Sequence, residues 1–443
     1  MQNFNVHEVR MSKYSKSLLS ILMITFAVFG QDPEVLLNKG QALMEVGDLA
    51  EAESLFNQAL QIDPSFAPAQ VGLSKCWLHR GDLDKAYEHS IKAVQMDEEL
   101  LSWSNDLIDV RNRIQNGKRN IQIGLYEEAL KDYNAILIKY PYYSGAAYSM
   151  GLMKFRQKDI ESAASYFKQA LDIYPDHQKA RKGLDNVTKQ FLNNGNKAYK
   201  RGDLEKATAL YKKALKYDSG FYHSYYQLGV LEKKLGNSDM AISYLSKVLE
   251  IKPDHDKSWF TLGTVYETNN DLDSAIVKYQ KTIDLNPGYT RAYGNLGNIY
   301  INKKDYASAE YLLKTATQID PTYANGYIFL GNVYVEQELF SDASEQFSQA
   351  TIYDENNFDA WFRLATSLNQ QSEWKEASNA AQKCVDLKKK FAGGWYELGI
   401  AEMGLGNKIR AKKYFEIAHK DRNWRKVSER KIDEINNPIK YEK

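Results

Sequence analysis

"NLGNIY" occupies residues 295–300, "TLGTVY" residues 261–266 and "FLGNVY" residues 329–334. Each copy starts 34 residues after the one before, with Leu, Gly and Tyr at fixed offsets. Extended both ways, the 34-residue frame fits eleven times: two units at 33–100, two at 110–177 and seven at 188–425. Nine additional residues (101–109) and ten (178–187) separate the three blocks. With so much of the 443 residues inside the frame, no separate catalytic domain is expected.

Position 20 of the unit is Ala in all eleven copies, from Ala52 to Ala411. Position 8 is Gly in nine, Ser74 in the second and Ala365 in the tenth. Helices approach closely only where side chains are small, so positions 8 and 20 are read as the contact between a first helix A and a second helix B. Apolar residues at positions 4, 7 and 11, such as Trp259, Leu262 and Tyr266, mark one buried helical face. Position 24 is often large, as in Phe56, Phe167, Tyr211, Tyr279, Phe347 and Phe415. Breakers recur as well. Gly stands at position 15 in six copies, Asp at position 16 in six, and six of the nine prolines fall at position 32. These predict a turn after helix A, an N-cap for helix B and its stop.

The pattern resembles the tetratricopeptide repeat, a 34-residue helix–turn–helix. The resemblance spans residues 33–425 and implies an all-α fold, an α-solenoid wound as a right-handed superhelix. The third copy departs most in helix A, where Arg113, Asn116 and Asn120 fall at positions expected to be buried. The inserts are expected to lengthen helix A of the third and fifth units. Residues 426–443 are read as a capping helix and tail, with Trp424, Val427, Ile432 and Ile435 on one face.

The N-terminus reads differently. Lys13 and Lys16 precede a twelve-residue apolar run, Leu18 to Phe29, short of the about 20 residues that span a bilayer. Small residues follow before Gln31, the layout of a secretory signal peptide over residues 1–30, with Met11 as a second candidate start. A periplasmic or secreted protein is expected; if the segment is uncleaved, it is the membrane contact. Charge is balanced, 58 Lys and Arg against 57 Asp and Glu, which argues against nucleic acid as a partner. The two cysteines, Cys76 and Cys384, stand in no redox or metal spacing.

No GxxxxGK[ST], GxSxG or HExxH occurs, so no enzyme, cofactor, metal or catalytic residue is expected. Binding remains. The resemblance implies that helix-A positions 2, 5, 9 and 12 line a concave groove for a peptide or partner protein. Position 2 is basic in four successive copies, Lys189, His223, Lys257 and Arg291; position 5 gives Tyr226 and Phe260; position 9 gives Asn298 and Asn332. These eight are the candidate partner-binding residues. The carboxylate clamp of some chaperone-binding members is not reproduced, since Gly294 precedes Asn298 and Phe329 follows one copy on. The expected function is a non-catalytic protein–protein interaction scaffold in the bacterial envelope. The alternative is an accessory subunit positioning a catalytic partner in a secretion, protease or glycan-assembly complex.

Overall fold

The computed structural model describes residues 32–441. The segment read as a signal peptide lies outside the described residues. Among the described residues there are 23 α-helices, two short 3-10 turns and no strand. The chain divides into two compact units, the first ending at Ser224 and the second beginning at Tyr225.

In the first unit the helices run α1 (Pro33–Glu45), α2 (Leu49–Ile62), α3 (Ala67–His79), α4 (Leu83–Met96), α5 (Leu101–Gln122), α6 (Tyr126–Lys139), α7 (Ser144–Arg156), α8 (Ile160–Ile173), α9 (Gln178–Lys200) and α10 (Leu204–Tyr217). The division falls within α11 (Tyr222–Leu235). The second unit continues with α12 (Ser238–Ile251), α13 (Asp256–Thr268), α14 (Leu272–Leu285), α15 (Thr290–Asn302), α16 (Tyr306–Ile319), α17 (Ala324–Glu336) and α18 (Phe340–Tyr353). It ends with α19 (Phe358–Gln370), α20 (Trp374–Leu387), α21 (Ala392–Gly404), α22 (Lys408–Ala418) and α23 (Arg425–Asn436). Odd-numbered helices up to α21 are helix A of a repeat, and even-numbered helices are helix B. Residues 101–109 form the first turns of α5, and 178–187 those of α9.

The breakers act as their chemistry requires. All six position-15 glycines adopt φ between 81° and 86°, and the other five repeats place Lys158, Asn270, Lys304, Glu338 and Ser372 there at φ of 60–62°. Every A–B turn therefore passes through the left-handed region that favours glycine. Asp48, Asp82, Asp159, Asp203, Asp271 and Asp305 each accept the backbone N–H three residues on, capping helix B. At the other end, a ring at position 4 donates to the carbonyl six residues earlier. The bonds are Trp259 Nε1 to Pro253 O at 2.9 Å, Tyr327 Oη to Pro321 O at 3.2 Å, Trp361 Nε1 to Glu355 O at 2.9 Å and Trp395 Nε1 to Lys389 O at 2.8 Å. Each stitches the loop after helix B onto the next helix A.

The role of position 8 differs from the sequence expectation. The helices do approach at positions 8 and 20: Ser74 Oγ donates to the carbonyl of Ala86 at 2.5 Å. But the absent side chain makes room chiefly for position 24. A Cβ on any of the nine position-8 glycines would meet the position-24 side chain of the same repeat within 2.5–2.8 Å, as Gly40 meets Phe56, Gly263 meets Tyr279 and Gly331 meets Phe347. The two exceptions fit this pairing. Where position 8 is Ser74 or Ala365, position 24 is the small, buried Ser90 or Ala381. No repeat sets a large residue at position 24 against anything but glycine at position 8, because a close-packed core tolerates no overlap.

Two further expectations change. In α5 the buried residues are Ser104, Leu107, Val110, Ile114 and Gly117; Arg113, Asn116 and Asn120 lie outside that face. At the C-terminus Trp424 packs on Tyr396 at 5.1 Å and Phe362 at 6.2 Å, but Val427 is 42% exposed, and Ser428 is the buried residue of α23.

Candidate functional site

Helix-A positions in the second unit carry six of the eight candidate residues. Lys257 and Arg291 are exposed, and Tyr226, Asn298 and Asn332 are half-buried. Phe260 is 6% exposed. Its ring packs against Tyr289 at 4.8 Å and Tyr279 at 5.6 Å, and the Arg291 guanidinium lies over it at 5.0 Å. Phe260 thus supports Arg291 by a cation–π contact and shows little surface of its own. Lys189 and His223, in the first unit, are exposed.

A rule missed in the sequence governs these rings. Position 34 is aromatic or His in eight of eleven repeats: Phe66, Tyr143, His177, Phe221, His255, Tyr289, Tyr323 and Phe391. The ring at position 5 packs on the ring at position 34 of its own repeat. The pairs are Tyr148 with His177 at 5.2 Å, Tyr226 with His255 at 5.1 Å, Phe260 with Tyr289 at 4.8 Å and Phe362 with Phe391 at 5.0 Å. Where position 5 is Gly294, Tyr323 fills the space, its hydroxyl 2.5 Å from where a Cβ would stand. The period of position 34 was visible; its partner 29 residues away was not.

Polar links join neighbouring A helices. Arg363 donates to Asn332 Oδ1 at 2.9 Å and to Asp359 at 2.7 Å, so the Asn332 oxygen is engaged within the protein. Tyr279 donates to Glu267 at 2.5 Å and accepts from Asn295 at 3.0 Å. Lys233 keeps an exposed side chain, yet the protein packed around its ammonium, and then the Arg291 charge, hold it below the usual lysine range; Glu267 opposes this. Lys233 thus feels the repelling charge of Arg291 and the attracting charge of Glu267, which itself accepts from Tyr279.

Towards the C-terminal end Glu397 is 7% exposed. Asn369 Nδ2 donates to its carboxylate at 2.7 Å and to its backbone carbonyl at 3.0 Å, while Asn369 Oδ1 is buried without a partner. Burial pushes the Glu397 carboxyl up to about 7, against the hydrogen bonds from Asn369 and Thr366. The raised value means that the folded protein prefers the protonated acid. Its favourable contribution is full below the ordinary 4.5 and is lost as pH rises through about 7. The Glu397 contribution, read as the difference between wild type and Glu397→Gln, should therefore grow on acidification from pH 8 to 5. Glu397→Gln should be more stable than wild type at pH 8, by about 3 kcal/mol at most, and nearly equal to it at pH 4. Denaturant titrations at the three pH values check this; a variant less stable at pH 8 would contradict it.

Sequence profiles of the tetratricopeptide repeat match residues 31–89 and 303–368, residues 116–177 and 260–324, and residues 222–255. Together they cover more than half of the chain. The chain belongs to the tetratricopeptide repeat family. Proteins of this family are generally non-catalytic scaffolds that bind protein or peptide partners. Among curated relatives, this tetratricopeptide repeat protein is 26% identical over 220 residues to DnaJ homolog subfamily C member 7 of Homo sapiens, covering 41% of this chain and 44% of that one. It thus spans less than half the length of that relative. Among solved structures, the P58(IPK) TPR domain matches at 14% identity and a TM-score of 0.34, over 92% of this chain and 98% of that one. MamA matches at 26% identity and a TM-score of 0.34, over 38% and 92%.

Proposed function

We propose that this protein is a non-catalytic scaffold, exported to the bacterial envelope, that holds an extended acidic or mixed peptide segment of a partner protein against the helix-A face of its second unit. The observation that carries the reading is the exposed Arg291 guanidinium seated over the Phe260 ring, its charge felt at Lys233. An anionic side chain placed there offsets the repulsion between the two cations, and Lys257 on the preceding helix A adds charge that steers it in. Half-buried Asn298 offers both amide groups to a peptide backbone. The apolar run from Leu18 to Phe29 supports the export reading.

The test uses a fluorescein-labelled peptide of alternating Glu and Leu and its Lys–Leu counterpart, followed by anisotropy at low and moderate salt. The acidic peptide should bind, and more weakly as salt rises. Joint Lys257→Glu and Arg291→Glu reversal should weaken it at least tenfold at low salt without loss of helicity. Equal binding of both peptides, or wild-type affinity in the charge-reversed protein, would overturn the reading. Cell fractionation with N-terminal sequencing tests the export separately.

A further inference from the structure

The first unit touches itself across a whole repeat. Helix α3, of the second repeat, packs on α7, of the fourth. Ser144 Oγ donates to the carbonyl of His79 at 2.8 Å, a buried bond between residues 65 apart. The His79 ring stands edge-on to Tyr142 at 5.8 Å and donates to the Ile173 carbonyl. Gly81 completes the seam: a Cβ there would lie 3.1 Å from His177 Nε2, 3.1 Å from Ser144 Oγ and 3.3 Å from the Gly145 nitrogen. A side chain there would crowd all three, and the turn has φ of +86°, where glycine is favoured. His79 and His177 are 9% and 7% exposed.

The His177 imidazole serves the seam only when neutral. His177 Nδ1 accepts the N–H of Ala180 at 3.1 Å and so caps α9; an imidazolium has no lone pair with which to accept. Around His79 stand Arg80 and Tyr142, with Lys75, Glu45 and Asp172 lining the adjoining cleft. Around His177 stand Asp176 and Lys179 on its own segment, Tyr174, and across the cleft Arg80, Asp82, Asp84, Arg111 and Lys118. Of these acids, Asp82 already caps α4 and Asp84 holds Arg111 at 2.8 Å. Across its cleft the His177 imidazolium would therefore find no free carboxylate, whereas Glu45 and Asp172 stand beside His79.

We propose that these contacts form a latch that closes the first unit over its third repeat, and that mild acid opens the latch by protonating His177, whose Nδ1 then no longer accepts the Ala180 N–H that caps α9. This proposal is independent of peptide binding by the second unit. Burial lowers both imidazoles from the ordinary 6.5, aided at His79 by Arg80 and at His177 by Lys179. A depressed value means that the stabilisation is full above pH 6.5 and is lost as pH falls below it. Opening bares the groove-side positions of the second, third and fourth repeats that are now buried, Leu78, Ile114 and Gly145.

Hydrogen exchange of the whole protein at pH 7.5 and 5.5, corrected for the intrinsic exchange rate, tests the proposal. Protection in segments 78–84, 143–149 and 177–182 should fall at least tenfold at pH 5.5, while segment 292–300 keeps its own. His79→Gln with His177→Asn supplies polar groups that do not titrate, Asn being a good N-cap, and should remove the pH difference. Wild-type protection unchanged between the two pH values would overturn the latch, as would an equal acid loss in the double variant. If the double variant fails to close at pH 7.5, the wild-type comparison alone decides.

Discussion

Phe347→Ala is expected to cost about 3–5 kcal/mol, and Gly331→Ala about 1–3 kcal/mol, but the two together should cost less than their sum by more than about 1 kcal/mol. The first empties a fully buried ring site; Phe347 is 1% exposed. The second drives a methyl to 2.6 Å from the same ring. The double variant reproduces the small–small pairing that the tenth repeat already uses at Ala365 and Ala381. Denaturant unfolding of the wild type, both single variants and the double variant closes the cycle. Additive losses would mean that positions 8 and 24 do not share one volume.

Tyr279→Ala should be about as costly, roughly 3–5 kcal/mol, and its damage should reach the proposed binding face. The ring is fully buried, fills the space left by Gly263 and packs against Phe260. Its hydroxyl joins Glu267 to Asn295 across consecutive A helices. Removing it leaves Phe260, and hence Arg291, without one of its supports. Because an array is stabilised by nearest neighbours, hydrogen exchange should accelerate first within 256–302 and leave 392–418 close to wild type. Tyr279→Phe separates the parts, since it keeps the ring and loses only the hydroxyl bonds, at about 1–3 kcal/mol. A uniform loss of protection over the second unit in Tyr279→Ala would contradict local support.

The helices were legible because their signals are local. A left-handed turn at position 15, an Asp cap beside it and Pro at position 32 each act within a few residues, and they repeat in phase. The missed contacts are those that local signals do not encode. The sequence named positions 8 and 20 as the close approach, and it showed large residues at position 24, but which of the two a glycine accommodates depends on how helix B rolls on helix A. The ring pairs between positions 5 and 34 need the loop after helix B to fold back on helix A. Glu397 reads as a solvated charge until α19 covers it. Leu78, Ile114 and Gly145 stand at groove positions 12, 5 and 2, yet all three are buried within the first unit. At the binding face the alignment of Lys257 and Arg291 was visible in the repeat; Lys233 and Glu267, from position 12, were not, because their charges signal nothing until Arg291 stands beside them.

The central claim is that partners are held on the helix-A face of the second unit. A photo-crosslinking amino acid at Asn298 or Asn332, compared with one at Val277 or Ile352 on helix B, tests it most directly in the native host. Val277 and Ile352 are 59% and 65% exposed, and Asn298 and Asn332 are half-buried. The account predicts one discrete crosslinked partner from Asn298 and Asn332, lost in the background of Lys257→Glu with Arg291→Glu, and none from Val277 or Ile352. The same partner captured from the helix-B sites, or capture from Asn298 that survives charge reversal, would contradict it.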